Sequence, residues 1–383
     1  MILLSAGGTG GHLYPALAVA EAIEALAPGT PVHVVGTADH LEARVVPAAG
    51  LPFHAVPAAP FPRRPDGRAL RFLQAFPAGI IASMQLLGRL RPRVVAGFGA
   101  YLTVPPLLAA AARGLPIVLH EANAHPGKAN SLLARWASSI LVSHEEAAAA
   151  FPNKPVKVTG TPLRASFLPA ASPEGRAQAR ARFGIGIEER LLVITGGSLG
   201  ARLLNDAVAR HRTEWLSRTQ WRLVHLTGQA QLKDVLDALP DADRLEDWHG
   251  GEAWSSASGR LVTAPYCDSM ADLLSASDLV VSRSGATTVA EMALLGRPGV
   301  MVPLALNPDQ AANAAAMARA GGGRVVTQDH VIDELCPVVC ALMDNEEERV
   351  GMGRCAATLG HPDAARAVAS ELLDWAASSM TRT

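Results

Sequence analysis

A glycine-rich turn near the amino terminus constrains the fold of this chain more than any other segment. The turn, GGTGGH at residues 7–12, follows a short apolar run at residues 2–4 and precedes an apolar helical pattern over residues 13–26. Glycine lets a backbone turn sharply and approach a ligand, and the helix start beyond it presents N–H groups to an anion. The segment therefore predicts a strand, an anion-binding turn and a helix, with the ionisable His12 at the end of the turn.

Short apolar runs alternate with alanine-rich helical stretches along the whole chain, and the pattern restarts after Arg164. This alternation predicts parallel sheets covered by helices on both faces, and hence two Rossmann-like domains. We expect ligands beyond the carboxyl ends of the strands, in a cleft that the two domains face, and a linker over residues 161–176. The further predicted strands are residues 32–35, 94–96, 117–119, 140–142, 156–158, 191–195, 223–226, 261–263, 279–281 and 300–302.

Composition excludes several classes of protein. The chain has 383 residues and a net charge of −1, which does not favour a nucleic-acid binder. Its four cysteines form no CxxC pair or metal-binding spacing, which fits a reducing compartment. Because no apolar run reaches about 18 residues and no basic region precedes the first strand, we expect neither a membrane span nor a signal peptide.

The second half of the chain repeats the pattern of a strand, a glycine-rich turn and a helix. GGSLGAR at residues 196–202 follows a predicted strand, and Ser198 can add a hydroxyl donor for a diphosphate. SRSGATTVAE at residues 282–291 follows another strand, and its Glu291 can accept both hydroxyls of a ribose. NPDQAANA at residues 307–314 follows a third. Three such loops on one sheet converge on a single predicted nucleotide site.

Other interpretations of the first turn fit less well. A dinucleotide fingerprint requires a small residue where Leu13 stands, and a phosphate-binding P-loop requires a lysine that is missing. A tight turn without a ligand remains an alternative. His12 can be a general base, or it can cap or pack against a helix.

Motifs in a consistent order along nearly the whole chain resemble the MurG family of bacterial glycosyltransferases, and HEANA and PAAPFPRR resemble its actinobacterial branch. The motifs are GGTGGHLYPALAVA from Gly7, GTADHLEARVVP from Gly36, GFGAY from Gly97, HEANAHPGKAN from His120, GTPLR from Gly160, GGSLGARLLN from Gly196, PYCDSM from Pro265, SRSGATTVAE from Ser282 and PDQAANA from Pro308.

The resemblance implies the GT-B architecture and an inverting transfer of N-acetylglucosamine in peptidoglycan synthesis. The donor is UDP-N-acetylglucosamine, and the acceptor is undecaprenyl-diphosphate N-acetylmuramoyl-pentapeptide (lipid I). It implies an acceptor domain at residues 1–163, completed by a C-terminal helix at about 362–380, and a donor domain at residues 164–355. It implies no cofactor and no nucleic-acid partner.

The resemblance also implies roles for individual residues. His12 is the implied general base, and the first glycine turn faces the acceptor diphosphate. The implied donor-binding residues are Thr9, Gly10, Gly11, Asn123, Arg164, Ser198, Cys267, Ala286, Thr287, Thr288, Glu291 and Gln310, with Arg164 and the Cys267 backbone near the uracil. The implied acceptor-binding residues are Gly8, Thr9, Gly99, Tyr101, His120 and Glu121.

Metal dependence is not expected. The one D-x-D pattern, Asp241 and Asp243, lies in a polar stretch that is typical of a solvated loop. Helix starts can stabilise a leaving UDP without a metal.

A basic, apolar segment at residues 63–93 predicts contact with a membrane surface, which the resemblance implies to be the cytoplasmic face of the cell membrane. Apolar residues are interleaved there with arginines, as in helices that lie on anionic lipid. An ordinary helix packed on its own sheet is the alternative. The segment contains a single acid, Asp66, and its arginines are Arg63, Arg64, Arg68, Arg71, Arg89, Arg91 and Arg93.

Two rival functions remain open. The loop at residues 97–106 has Ala100 where the family commonly has glycine, and Leu199 replaces a common glutamine. These differences leave room for a paralogue that glycosylates another lipid or a natural product. A non-catalytic nucleotide-sugar-binding protein is the second rival.

Overall fold

The computed structural model describes residues 1–62, 67–249 and 251–378 and divides into two compact units. The N-terminal unit comprises Met1–Ala165 and His361–Thr383, and the C-terminal unit comprises Ser166–Gly360. Arg63, Arg64 and Asp66 of the basic segment, and residues 379–380 of the predicted last helix, lie outside the described residues.

The N-terminal unit contains a seven-stranded, fully parallel sheet in the order β3-β2-β1-β4-β5-β6-β7. Its strands are β1 (Ile2–Ser5), β2 (Val32–Gly36), β3 (Phe53–Ala55), β4 (Val94–Gly97), β5 (Ile117–Glu121), β6 (Ser139–Val142) and β7 (Val156–Val158). Its helices are α1 (Gly10–Leu26), α2 (Glu42–Ala48), α3 (Gly67–Leu90), α4 (Val104–Ala112), α5 (Lys128–Leu133) and α6 (Glu145–Ala148). The central strands are buried on both faces, which explains their continuous apolar sequences.

The C-terminal unit contains an eight-stranded sheet in the order β10-β11-β12-β9-β8-β13-β14-β15. Its strands are β8 (Arg190–Thr195), β9 (Trp221–Leu226), β10 (Asp243–Arg244), β11 (Trp254–Ser256), β12 (Leu261–Ala264), β13 (Leu279–Ser282), β14 (Gly299–Met301) and β15 (Gly323–Val325). Its helices are α7 (Phe167–Ala170), α8 (Pro173–Arg182), α9 (Arg202–Leu216), α10 (Leu232–Asp237), α11 (Met270–Ala276), α12 (Ala286–Leu294), α13 (Pro308–Arg319), α14 (Val331–Asp344) and α15 (Glu346–Ala357).

The last helix, α16 (Ala364–Ser378), returns to the N-terminal unit and packs on α1. Val368 and Leu372, one turn apart, are buried in the same apolar cluster as Leu13 and Ile23 of α1. A helix distant in sequence therefore covers one face of the N-terminal sheet.

The prediction of two Rossmann-like parallel domains is confirmed, and every predicted strand is present. The sheets differ from the prediction at their edges, where β3, β10, β11 and β15 were not predicted because each is short and carries no continuous apolar run. β11 also pairs antiparallel with both β10 and β12.

The predicted linker is wrong for residues 167–176. These residues begin α7 and α8, which pack on α11 within the C-terminal unit. Phe167 is buried, and the Ser172 hydroxyl caps α8 by accepting a hydrogen bond from the Gly175 N–H. Two of the three prolines that indicated a linker, Pro169 and Pro173, stand in the first turn of a helix, where proline is tolerated.

The turn after β4 contains a residue in an unfavourable backbone conformation. Ala100 has φ of 65° and ψ of 158°, a region that is populated almost only by glycine. The short helical turn Tyr101–Thr103 and α4 follow at once and hold this residue in place. The alanine at this position therefore stores backbone strain.

We expect Ala100→Gly to raise the free energy of unfolding by about 1 kcal/mol, because relief of the strain exceeds the added flexibility of the unfolded chain. Urea denaturation of the full chain measures this change. The same substitution in a helix, Ala78→Gly in α3, is the control and should lower stability by about 0.5–1 kcal/mol. A loss of stability in both variants would contradict the strain at residue 100.

Candidate functional site

A buried carboxylate organises the first glycine turn. Glu42, at the start of α2, is fully buried, and its carboxylate accepts hydrogen bonds from the Gly8 N–H (2.9 Å), the Thr37 N–H (3.0 Å) and the Thr37 hydroxyl (2.7 Å). A side chain at Gly7 or Gly36 would collide with Glu42. The glycines of this region are therefore needed for space as well as for turning.

The imidazole of His12 is held in one orientation by the next strand of the sheet. Its Nδ1 lies 2.8 Å from the carbonyl oxygen of Phe98, directly after β4. A carbonyl only accepts, so Nδ1 carries the proton of the neutral ring and Nε2 is the basic nitrogen. Gly99 has φ of 92°, and a Cβ there would lie 3.0 Å from the His12 ring. Glycine at residue 99 thus leaves room for the imidazole.

The start of α1 suits an anion. Thr9 is the exposed N-cap residue, and its side chain makes no capping hydrogen bond. Gly10 and Gly11 form the first helical positions without side chains, so a ligand can approach their backbone N–H groups closely.

Loops after β5 are fixed by a second buried carboxylate. Glu121 accepts hydrogen bonds from the Asn123 N–H (3.0 Å), the Gly127 N–H (3.0 Å) and the Asn130 side chain (2.8 Å). The backbone of the half-buried Asn123 is therefore held in place by Glu121. Glu121 thus positions this loop.

His120 is buried and neutral. Burial is the main reason that its pKa is lowered to about 4, and its Nε2 donates to the Gly160 carbonyl oxygen at 3.2 Å. Tyr101, by contrast, is half-buried, and its hydroxyl lies 3.0 Å from the His40 imidazole. Burial, with Asp39 and Glu42 nearby, raises the pKa of Tyr101, so its hydroxyl stays protonated and can donate.

In the C-terminal unit, candidate residues follow the carboxyl ends of strands in one sheet. Ser198 is exposed in the turn between β8 and α9. Gly200 in that turn has φ of 73°, and a Cβ there would collide with the Thr227 carbonyl after β9. The turn is therefore packed tightly against the neighbouring strand end, with Ser198 pointing away from the core.

The start of α12 carries an unsatisfied hydroxyl. Among the described residues, the Thr287 Oγ1 is buried and has no hydrogen-bond partner, and the N-cap residue, Gly285, has no side chain to cap the helix. A buried hydroxyl without a partner costs free energy, and a phosphate oxygen would satisfy it. The start of α12, at Ala286, Thr287 and Thr288, thus combines a buried hydroxyl with an N-terminus that no side chain caps.

Two hydrogen bonds fasten α13 to the loop before α12. The Ser284 hydroxyl donates to the Gln310 carbonyl oxygen (2.7 Å), and the Asn313 side chain donates to the Ser284 carbonyl oxygen (3.1 Å). The Gln310 side-chain oxygen accepts from the Leu304 N–H (2.8 Å), so its NH₂ group is the part that can donate to a ligand. Glu291 is half-buried in the second turn of α12.

The Cys267 thiol is not available for chemistry. It is buried, and burial raises its pKa to about 12, so it stays protonated. The predicted contact of a ligand with the Cys267 backbone stays a prediction.

The structure thus brings the predicted residues together at two strand edges, one in each unit. Arg164 belongs to the N-terminal unit, where its guanidinium stacks over the Tyr14 ring of α1 at 5.2 Å. Sequence reasoning missed the supporting residues Glu42, Asn130 and Ser284. Glu42 lies inside the family motif GTADHLEARVVP, and this was the available signal. No local pattern indicated that it would bind the backbone of Gly8, 34 residues away. No group of three or more potential metal ligands occurs in the described ranges.

Comparison with known proteins identifies the family. The model of the glycosyltransferase family 28 N-terminal domain matches residues 2–142, and that of the family 28 C-terminal domain matches residues 191–368.

Relatives and a solved structure match over nearly the full length. A UDP-N-acetylglucosamine–N-acetylmuramyl-(pentapeptide) pyrophosphoryl-undecaprenol N-acetylglucosamine transferase of Desulforudis audaxviator is 38% identical over 95% of each chain. The transferase of the same name from Clavibacter sepedonicus is 36% identical over 99% of this chain and 98% of its own. The crystal structure of Acinetobacter baumannii MurG superposes with a TM-score of 0.71 at 25% identity, covering 97% of this chain and 99% of its own. The chain therefore belongs to glycosyltransferase family 28 and, within it, to the MurG family.

Proposed function

We propose that this chain transfers N-acetylglucosamine from UDP-N-acetylglucosamine to undecaprenyl-diphosphate N-acetylmuramoyl-pentapeptide, which converts lipid I to lipid II in peptidoglycan synthesis. The observation that carries the proposal is 38% identity, over 95% of both chains, to a transferase whose name states this reaction. No observation favours a different acceptor or a loss of catalysis.

His12 is the proposed general base. An inverting transfer needs one group to take the proton of the acceptor hydroxyl as that oxygen attacks the anomeric carbon and the bond to UDP breaks. The hydrogen bond from Nδ1 to the Phe98 carbonyl supports this role, because it leaves Nε2 as the basic nitrogen.

The donor would be held by the strand ends of the C-terminal unit. Ser198 and the α12 start, with the buried Thr287 hydroxyl, are proposed to hold the diphosphate and to stabilise the leaving UDP. Glu291 would accept the ribose hydroxyls, and the Gln310 NH₂ group would donate to the sugar. The Cys267 backbone is the proposed contact of the uracil in this unit. The contact implied for Arg164, which belongs to the N-terminal unit, stays a prediction.

The acceptor would be held by the strand ends of the N-terminal unit. We propose that the N–H groups of residues 9–11 bind its diphosphate, with Gly8, Gly99 and the Tyr101 hydroxyl beside it. The Gly8 N–H is already donated to Glu42. Asn123 would lie near the two sugars. Glu121 and His120 act by fixing the surrounding loops, since both side chains are buried and hydrogen-bonded within the protein.

Contact with the membrane is proposed through the outer face of α3. Leu70, Leu73 and Ile81 lie on one helical face and are 59–66% exposed, and Arg71 beside them is also exposed. The opposite face is anchored in the unit, where Leu86 and Leu87 are buried in the core. Among the described residues, α3 is the one helix long and apolar enough to span a membrane. Its buried face favours lying on the lipid surface over spanning it.

Replacing His12 tests the chemistry. We expect His12→Ala to lower kcat by about 10²–10⁴-fold, because the base is lost, in an assay with labelled UDP-N-acetylglucosamine and a lipid I analogue. His330→Gln, at an exposed histidine of the C-terminal unit, is the control and should retain full activity. Unchanged turnover in His12→Ala would refute the assigned base. Wild-type activity with only a soluble acceptor would favour the paralogue, and donor binding without any turnover would favour the non-catalytic rival.

Replacing Glu291 tests the donor site. We expect Glu291→Ala to raise KM for UDP-N-acetylglucosamine about tenfold or more, because two hydrogen bonds of a charged group to the ribose are lost. KM for the acceptor should stay the same. A change confined to the acceptor KM would place the nucleotide elsewhere.

Charge placed on the outer face of α3 tests membrane contact. We expect Leu70→Glu combined with Leu73→Glu to weaken binding to phosphatidylcholine–phosphatidylglycerol vesicles about tenfold or more in a sedimentation assay. Ile187→Glu, at a 91% exposed residue of the C-terminal unit, is the matched control. Equal binding of both variants and the wild type would exclude this face of α3.

A further inference from the structure

A cavity rich in arginine lies in the C-terminal unit, apart from every residue assigned above. Its volume is about 320 Å³, at the lower end of the range for small-molecule sites. The guanidinium groups that line it belong to Arg176, Arg190, Arg297, Arg349 and Arg354. Two carboxylates, Asp278 and Glu346, line it as well.

The cavity stands at the amino ends of strands whose carboxyl ends bear the proposed donor residues. Arg190 is the first residue of β8, Asp278 directly precedes β13, and Pro298 directly precedes β14. Because β8 spans six residues, about 20 Å of strand separates the two edges. A ligand in the cavity would therefore not touch the nucleotide.

Both carboxylates are already paired. Asp278 accepts from Arg176 at 2.7 Å and from the neighbouring Arg180 at 3.0 Å. Glu346 pairs with Arg190 at 3.1 Å. In these ion pairs two carboxylates are shared among three guanidinium groups. The other arginines of the cavity add further positive charge.

The other three arginines have no carboxylate partner in the part of the chain that the structure describes. Arg297 donates to the Leu295 and Ser277 carbonyl oxygens. Arg349 donates to carbonyl oxygens at the end of α14 and stacks on the Trp221 ring at 4.9 Å. Helix-end carbonyls orient these groups but carry only about half a negative charge per helix. Arg354 is exposed and stands in the last turn of α15.

Burial adds to the cost of this unbalanced charge. It is the main cause that lowers the pKa of Arg176 and of Arg349. The Asp278 carboxylate raises the pKa of both, and the neighbouring guanidinium groups, including that of Arg190, lower it again. Cations under this repulsion are stabilised by an anion that contacts several of them.

We propose that this cavity binds a compact phosphate-bearing anion with one or two phosphate groups. Guanidinium groups match phosphate oxygens with paired N–H donors, and the cavity volume of about 320 Å³ accommodates such a group. The ligand is inorganic phosphate or diphosphate, or the phosphate end of a larger molecule. This site is independent of the transferase reaction.

Calorimetric titration of the full chain with inorganic diphosphate, at low ionic strength, tests the site. We expect the wild type to bind and Arg354→Gln to bind about tenfold more weakly, because an exposed cation that lines the cavity is removed. Glu346→Gln should bind about threefold more tightly, because it removes a competing negative charge. Damage to the fold would weaken diphosphate binding in both variants. A loss of affinity in one variant and a gain in the other therefore indicates a direct effect of charge.

Arg244→Gln is the matched control, since it removes an exposed arginine of β10 that pairs with Glu252 at 3.2 Å. Its affinity for diphosphate should equal that of the wild type. A parallel titration with UDP separates the two anion sites: UDP should leave diphosphate binding intact. The proposal is overturned if the wild type binds neither phosphate nor diphosphate. It is also overturned if UDP displaces diphosphate while Arg354→Gln and Glu346→Gln change nothing.

Discussion

Parallel strand pairing is the constraint on which the rest of this structure depends. In a parallel sheet all carboxyl ends lie at one edge, and each connecting helix begins at that edge. Loops that are far apart in sequence, such as those after β1 and β4 or after β8, β13 and β14, therefore meet. Helix starts and their N–H groups converge on the same edge, which gives each unit an anion-binding side before any side chain is considered.

Buried carboxylates convert these loops into fixed geometry. Glu42 and Glu121 lie in the interior of the N-terminal unit, where an ionised group is tolerated only if it is fully hydrogen-bonded. Each accepts three hydrogen bonds, and most of the donors are backbone N–H groups of the loops that carry candidate residues. Because each buried carboxylate binds backbone N–H groups, it fixes the loop that carries them. Glu42 fixes the turn before His12, and Glu121 fixes the loop that contains Asn123.

The two edges of the C-terminal sheet use opposite chemistry. The carboxyl edge offers helix starts, hydroxyl groups and glycine turns, with the unsatisfied Thr287 hydroxyl among them. The amino edge receives helix ends, whose carbonyl oxygens attract cations, and arginines accumulate there. Arg297 and Arg349 show this directly, because both donate to carbonyl oxygens at helix ends. The surplus of charge that results is the basis for an anion site on this edge.

The sequence by itself determined the alternation of strands and helices and the positions of the glycine turns. Apolar runs and the conformational freedom of glycine are local properties, so β1, β8 and β13 and their turns were readable from adjacent residues. The motifs also determined the family, because they recur in order along the chain.

Only the tertiary structure decided which distant groups meet. The partnership of Glu42 with the first turn, the Nδ1–H tautomer of His12 and the stacking of Arg164 on Tyr14 all join residues that are distant in sequence. The edge strands and the helices at residues 167–176 were missed because they are too short, or too rich in proline, to show a periodic pattern. The arginine cavity collects side chains from α8, β8, α15 and the segment after α12, and no local signal marks such a convergence.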